Sequence, residues 1–254
     1  MKLRVLLSSA LILTAMQVEA RTMADIQQAG TLKVGVPGDY APLAYHDADG
    51  KLVGYDVDMA KALAKDLKLN VEFVLTSWPS LSSDLAADKF DVAMGGVTAT
   101  AKREAEFGLT KPIVPNGKIA LAGCAVAGSL GDLEKIDQPS VKVVVNPGGT
   151  NQSFVDGNIK KAQVIRVKDN YDNLQALRDR TADMMVTDLI EGDYYQNKEP
   201  GVLCMATQQP FAGTESHKVY MVKKNDTQLL ESINVWLAGE TKSQLAKQWK
   251  IRTE

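Results

Sequence analysis

The sequence predicts an α/β fold divided between two similar lobes. Three observations carry that prediction. Strand-like and helix-like segments alternate from Leu32 onward, the two halves of the chain echo each other, and glycine or polar residues collect where the apolar strand runs end. Alternation of this kind builds parallel sheets flanked by helices, and ligands bind beyond the carboxyl ends of such strands.

Along the chain, Lys2 and Arg4 precede an apolar run from Val5 to Met16, and Val18-Glu-Ala20 closes with a small residue. This is the layout of a secretory leader over residues 1–20, and it predicts an exported, periplasmic protein that starts near Arg21. The run is too short for a stable membrane span, and no later run approaches the required length. Leu32 to Val36 reads as a strand. Asp56 to Leu67 reads as a helix, with Met59, Leu63 and Leu67 on one stripe. Val71 to Thr76 is a strand, a helix follows Pro79, and Asp91 to Gly96 is a buried strand ending in glycine.

A second series follows Gly123, with a short helix near Leu130 to Ile136, a strand over Val141 to Val145 and a helix from Thr150. A strand over Val164 to Val167 precedes a helix around Asn170 to Arg180, and then comes a strand over Met184 to Thr187. A last strand, His217 to Val222, leads to a helix opened by Asn225 or Asp226, which carries Leu229, Ile233, Trp236 and Leu237 at helical spacing. The echo lies in Lys89-Phe-Asp91 running into Val-Ala-Met, matched by Thr181-Ala-Asp183 running into Met-Met-Val. The expected division is one lobe over residues 21–118 plus 212–254 and a second over 119–211.

Composition narrows the function. With 29 basic and 31 acidic residues the formal net charge is −2, and no basic stripe marks a nucleic-acid partner. Only His46 and His217 are available, which disfavours a Ser-His-Asp triad or a multi-histidine metal site. No P-loop or dinucleotide fingerprint is present, so neither a metal nor a cofactor is expected. The two cysteines, Cys124 and Cys204, lie in apolar strand-like runs far apart in sequence. In an oxidising compartment one disulfide is the simplest reading, against a pair of buried free thiols.

The candidate site lies at two strand ends. Val145-Asn-Pro-Gly-Gly-Thr-Asn151 runs from a strand through a glycine turn into a helix start, where Asn146, Gly149, Thr150 and Asn151 can meet an anion. Met185-Val-Thr-Asp-Leu-Ile-Glu191 ends in Asp188 and Glu191, spaced to share a helical face. Arg103 can grip a carboxylate with both prongs of its guanidinium, Thr98 near Gly96 adds a hydroxyl, and Trp78 with Tyr40 can sandwich a six-membered ring. Each has a plainer reading. Asp188 can be an N-cap, Glu191 a solvated first-turn acid, Arg103 part of a surface charge cluster, Trp78 and Tyr40 core, and the glycines a simple turn.

Taken in order, Gly30-Thr-Leu-Lys-Val-Gly-Val36, Gly54-Tyr-Asp-Val-Asp-Met59, Phe90-Asp-Val-Ala-Met94 and Thr98 with Arg103 resemble the periplasmic solute-binding proteins of the polar amino-acid family over essentially the whole exported chain. The resemblance implies the type II periplasmic-binding-protein fold, two lobes closing on a ligand about two crossing strands.

Within the family, Thr76-Ser-Trp-Pro-Ser-Leu81, Ile136-Asp-Gln-Pro139, the two site segments and Gln208-Gln-Pro-Phe211 resemble its cyclohexadienyl dehydratase branch, in which both cysteines fall at matching places. That branch converts prephenate to phenylpyruvate and arogenate to phenylalanine with loss of carbon dioxide and water. Its proposed acid corresponds to Glu191. Between Arg103 and Phe107 the chain is shorter than the branch pattern. Asp188 suits the ammonium of arogenate, but its charge opposes the keto acid prephenate unless it is neutralised. The competing expectation is a carrier that hands an amino acid or related anion to a membrane transporter. Fold alone does not separate the two.

Overall fold

A computed structural model describes residues 21–252, so the leader expected over residues 1–20 lies outside the described residues. Helix α1 (Met23–Ala29) opens on a capping box between Thr22 and Asp25, a local signal that the hydrophobic pattern did not reveal. Strand β1 (Thr31–Val36) follows, then a meander of β2 (Asp39–Tyr40), β3 (Ala44–His46) and β4 (Leu52–Val53). Helix α2 (Tyr55–Asp66) buries Met59 and Leu63 of the predicted stripe together with Val57 and Ala60, while Leu67, the third stripe residue, caps its end half-buried. Next come β5 (Asn70–Leu75), α3 (Leu81–Ala86), β6 (Val92–Ala93), α4 (Ala101–Glu106), β7 (Phe107–Leu109) and β8 (Val114–Asn116).

The second series contains β9 (Lys118–Gly123), α5 (Cys124–Ala127), α6 (Leu133–Ile136), β10 (Lys142–Val145), α7 (Gly149–Asn158) and β11 (Gln163–Arg166). It continues with α8 (Asn170–Arg178), β12 (Met184–Asp188), α9 (Leu189–Lys198) and β13 (Leu203–Met205). The chain then returns through β14 (Ser216–Lys218) and β15 (Met221–Lys223) to α10 (Thr227–Leu237) and α11 (Thr241–Trp249).

Two five-stranded sheets result, in the orders β5-β1-β6-β15-β7 and β11-β10-β12-β9-β13. Each has three parallel strands, then one strand running the opposite way, β15 or β9, and a fifth antiparallel to that one, so the lobes share a topology. The echo noted in the sequence extends to single bonds. Asp91 accepts the Lys33 backbone N–H at 2.8 Å, and Asp183 accepts that of Lys142 at 2.7 Å. In each lobe an aspartate thereby ties the start of the central strand to its neighbour, which explains why Asp stands at both places. Each sheet is packed between apolar layers, with Leu32, Val34, Met59 and Leu63 on one side of the first and Leu81, Phe90 and Met221 on the other.

The predicted strand from His217 to Val222 is two strands in the structure. β14 pairs with β8 in a two-stranded ribbon between the lobes, and β15 joins the first sheet. Only Lys218 of β14 is buried, whereas β15 buries Met221 and Val222, so the two parts sit in different surroundings that a single apolar run does not reveal. The strand predicted over Asp91 to Gly96 stops at Ala93. Gly95 and Gly96 take positive φ, and the Asp56 carboxylate accepts both of their N–H groups at 2.9 and 3.0 Å. Helix α11 was not predicted. Among the described residues no helix is long and apolar enough to cross a membrane.

The lobes are tied by their own side chains. Tyr171 of α8 donates to the Gly38 carbonyl at 2.8 Å, and Asn170 bonds Asp39 through both its backbone N–H and its side-chain amide, each at 3.1 Å. At Gly148 the approach is backbone to backbone. Its φ is +79°, and an added Cβ would stand 2.4 Å from the Pro79 nitrogen.

Candidate functional site

The carboxyl ends of β5, β6, β10 and β12 face one another across a narrow cavity. The first lobe contributes Tyr40, Trp78, Gly96, Thr98 and Arg103. The second contributes Asn146, Gly148, Gly149, Thr150, Asn151 and Asp188. Every expected binding residue therefore lines one cavity, and Gly148 joins them. Gly96 is dictated by closeness, since with φ +104° an added Cβ would come within 2.7 Å of the Tyr40 ring. Arg103 reaches the cavity although α4 runs directly into β7, and it donates to the Thr98 carbonyl at 2.8 Å.

Asp188 occupies the N-cap position of α9, yet its side chain makes no capping bond. Its oxygens are taken elsewhere. Oδ1 accepts from Lys118 Nζ at 2.6 Å and Asn116 Nδ2 at 2.9 Å. Oδ2 accepts from Lys218 Nζ and the Tyr40 hydroxyl, both at 2.6 Å. Burial alone would push this carboxyl up, but the two ammonium groups outweigh it and hold Asp188 well below the usual carboxylate range.

Lys118 also donates to Thr150 and Asn151, while Lys218 donates to the Gly96 carbonyl at 2.9 Å and Thr98 at 3.0 Å. Each lysine thus fixes lining residues as well as Asp188. The sequence reading missed both, since a Lys at the end of an apolar strand ordinarily reads as a solvated terminus. The placement of Lys118 follows from register, since it stands directly opposite Asp188 in the antiparallel pair of β9 and β12.

Glu191, one turn into α9, is completely buried. Asn170 Nδ2 donates to its Oε1 at 2.6 Å, and the Thr187 hydroxyl bonds its Oε2. Burial pushes its carboxyl up to about 8, and the charges of Asp188 and Asp39 add to that effect, while the Thr187 and Asn170 bonds oppose it. Near neutrality Glu191 is mostly a neutral acid. It does not line the cavity but stands in the wall behind it, within electrostatic reach of Tyr40.

Asn170, Asp39 and Thr187 are further residues that the sequence reading did not find. Trp78 Nε1 donates to Asp39 at 2.9 Å, and Asp39 accepts from Asn170, so a bonded chain runs from a lining aromatic to the acid. A helix-opening Asn after an N-capping Asp looks like cap chemistry and nothing more. Only the packed structure gives Asn170 its role.

Tyr40 and Trp78 do not form the expected sandwich. Their ring centroids are 5.6 Å apart at an interplanar angle of 75°, because Asp188 pins the Tyr40 hydroxyl and Asp39 pins the Trp78 indole. They make an aromatic corner instead. Away from the cavity, Cys124 and Cys204 form a disulfide that joins α5 to β13. Among the described residues no group of three His, Cys, Asp or Glu side chains is placed to hold a metal.

Residues 32–250 match the bacterial extracellular solute-binding proteins, family 3. The chain is 35% identical to the cyclohexadienyl dehydratase of Pseudomonas aeruginosa, over 92% of this chain and 86% of that protein. It is 26% identical to the L-cystine-binding protein TcyJ of Escherichia coli strain K12, covering 82% and 77%. Among solved structures, an ancestral amino acid-binding protein described as a precursor of cyclohexadienyl dehydratase superposes with a TM-score of 0.81 at 32% identity, covering 89% of this chain and 98% of that one. An ancestral cyclohexadienyl dehydratase has a TM-score of 0.54 at 42% identity, covering 91% and 97%.

Proposed function

The chain belongs to the bacterial extracellular solute-binding proteins of family 3, and we propose that it is a periplasmic dehydratase acting on prephenate and arogenate. One observation carries the reading: a fully buried glutamic acid, protonated near neutrality, behind a cleft that holds Arg103 and a helix start. A carrier has no use for such an acid, whose burial costs stability once it ionises.

In the reaction, Arg103 and the N-terminal turn of α7 hold substrate carboxylates. The bond from the ring to its carboxylate breaks, and carbon dioxide leaves. Its electron pair completes the aromatic ring as the bond to the ring hydroxyl breaks at the far carbon. Glu191 supplies the proton that turns the departing hydroxide into water, and solvent returns a proton to Glu191 before the next cycle. Oε2 is held by the Thr187 hydroxyl, which lies beside the Tyr40 hydroxyl of the cavity lining, so we draw the route of the proton from Glu191 through Thr187 and Tyr40 to the departing oxygen. Help of this kind is worth roughly two to four powers of ten in rate.

The second reading, a carrier delivering an amino acid or related anion to a membrane transporter, draws support from the amino acid-binding relatives. Mixing the purified protein with prephenate at neutral pH and following phenylpyruvate separates the two. Fast turnover supports the dehydratase. No product above the spontaneous rate, together with tight binding of an amino acid, supports the carrier.

A further inference from the structure

Asp188 is the sole carboxylate among the residues lining the cavity, so a ligand's ammonium group has one candidate partner. That partner is fully engaged. An ionised carboxylate offers about four lone-pair sites, and Asp188 meets four donors: Lys118, Asn116, Lys218 and Tyr40. Two of them are ammonium groups 97% and 95% buried. An incoming ammonium would find no free oxygen and two like charges in its place. Asp39, the carboxylate bonded at the aromatic corner, is turned to the Trp78 indole and the Asn170 backbone.

The charge balance points the same way. Lys118 and Lys218 oppose the one charge of Asp188, and Arg103 lines the cavity bonded only to the Thr98 carbonyl. The Asp39 and Asp56 carboxylates are turned to the Trp78 indole and the Gly95 and Gly96 N–H groups, a balance suited to a ligand with carboxylates. We infer that Lys118 and Lys218 set specificity: by occupying Asp188 they select a keto acid over the amino acid of the same skeleton. Prephenate, with two carboxylates and a keto group, is preferred to arogenate, which carries an ammonium. This deepens the dehydratase reading and rests on it only for the ring skeleton of the ligand.

The test uses phenylpyruvate and phenylalanine, which share a skeleton and differ in the keto and ammonium groups. Binding to the intact protein is measured by titration calorimetry at neutral pH. Phenylpyruvate is expected to bind at least tenfold more tightly. In Lys218→Met and, separately, Lys118→Met, that ratio is expected to fall at least tenfold, since each removes one cation and frees one oxygen of Asp188. Equal or tighter binding of phenylalanine by the unaltered protein overturns the inference, as does failure to bind phenylpyruvate at all. So does a ratio unmoved in both variants. If the variants do not fold, the comparison in the unaltered protein still decides.

The two readings fail separately. A keto-acid preference without prephenate turnover leaves this inference standing and removes the dehydratase. Turnover with no preference does the reverse.

Discussion

Replacing Glu191 with Gln tests the proposed acid through two readouts of opposite sign. Gln is nearly isosteric, and its carbonyl oxygen can keep the bond from Asn170. What it cannot do is release a proton. Loss of general acid help predicts a fall in kcat of about two to four powers of ten. Stability should move the other way at high pH. The folded-state pKa is raised from 4.5 to about 8, so the protonated acid favours the folded state, fully so below the unfolded value.

That contribution fades as pH rises and is gone above the folded value. A shift of this size corresponds to about 5 kcal/mol at most, at roughly 1.4 kcal/mol per pH unit. The unaltered protein should therefore lose stability between about pH 4.5 and 8 relative to Glu191→Gln, whose curve lacks that slope. Urea unfolding of both proteins at pH 5 and pH 9, with prephenate turnover measured alongside, gives both readouts. Parallel stability curves would show that the carboxyl is not forced neutral by burial. Undiminished turnover in Glu191→Gln would remove the acid from the mechanism.

Two further outcomes follow from geometry. In Gly148→Ala the new methyl meets the Pro79 nitrogen at 2.4 Å with φ fixed near +79°, so the lobes must part; ligand affinity should drop at least tenfold with each lobe still folded, and unchanged affinity in a titration would refute the closeness of that contact. Replacing both Cys124 and Cys204 with Ser opens a link between residues 80 apart and should cost about 4 kcal/mol in urea unfolding, while turnover at the cleft stays as it was; equal stability would show that the link does not constrain the unfolded chain.

The sequence made legible what depends on periodicity and on local chemistry. Alternating apolar runs located the central strands of both sheets, and the Asp91 and Asp183 echo reported a shared bond to a neighbouring strand. Strand ends rich in Gly, Asn, Thr and Asp led to the cavity lining. What stayed hidden depends on register and on contact between lobes. Lys118 meets Asp188 only because β9 and β12 align in one particular way, and Lys218 meets it only across the closed cleft. The aromatic corner of Tyr40 and Trp78 likewise depends on the hydrogen bonds that fix the two rings, and ring type alone does not reveal them. The meander at residues 39–53 and helix α11 carry patterns too short or too polar to stand out.

The bonds from Tyr40 and Lys218 to Asp188, and from Asn170 to Asp39, all bridge the two halves of the molecule. They act as a latch made of the protein's own charges and hydroxyls. Every guest that enters or departs has to wait for that latch to lift, so the frequency of its lifting is a ceiling on throughput that no improvement in the chemistry inside can exceed.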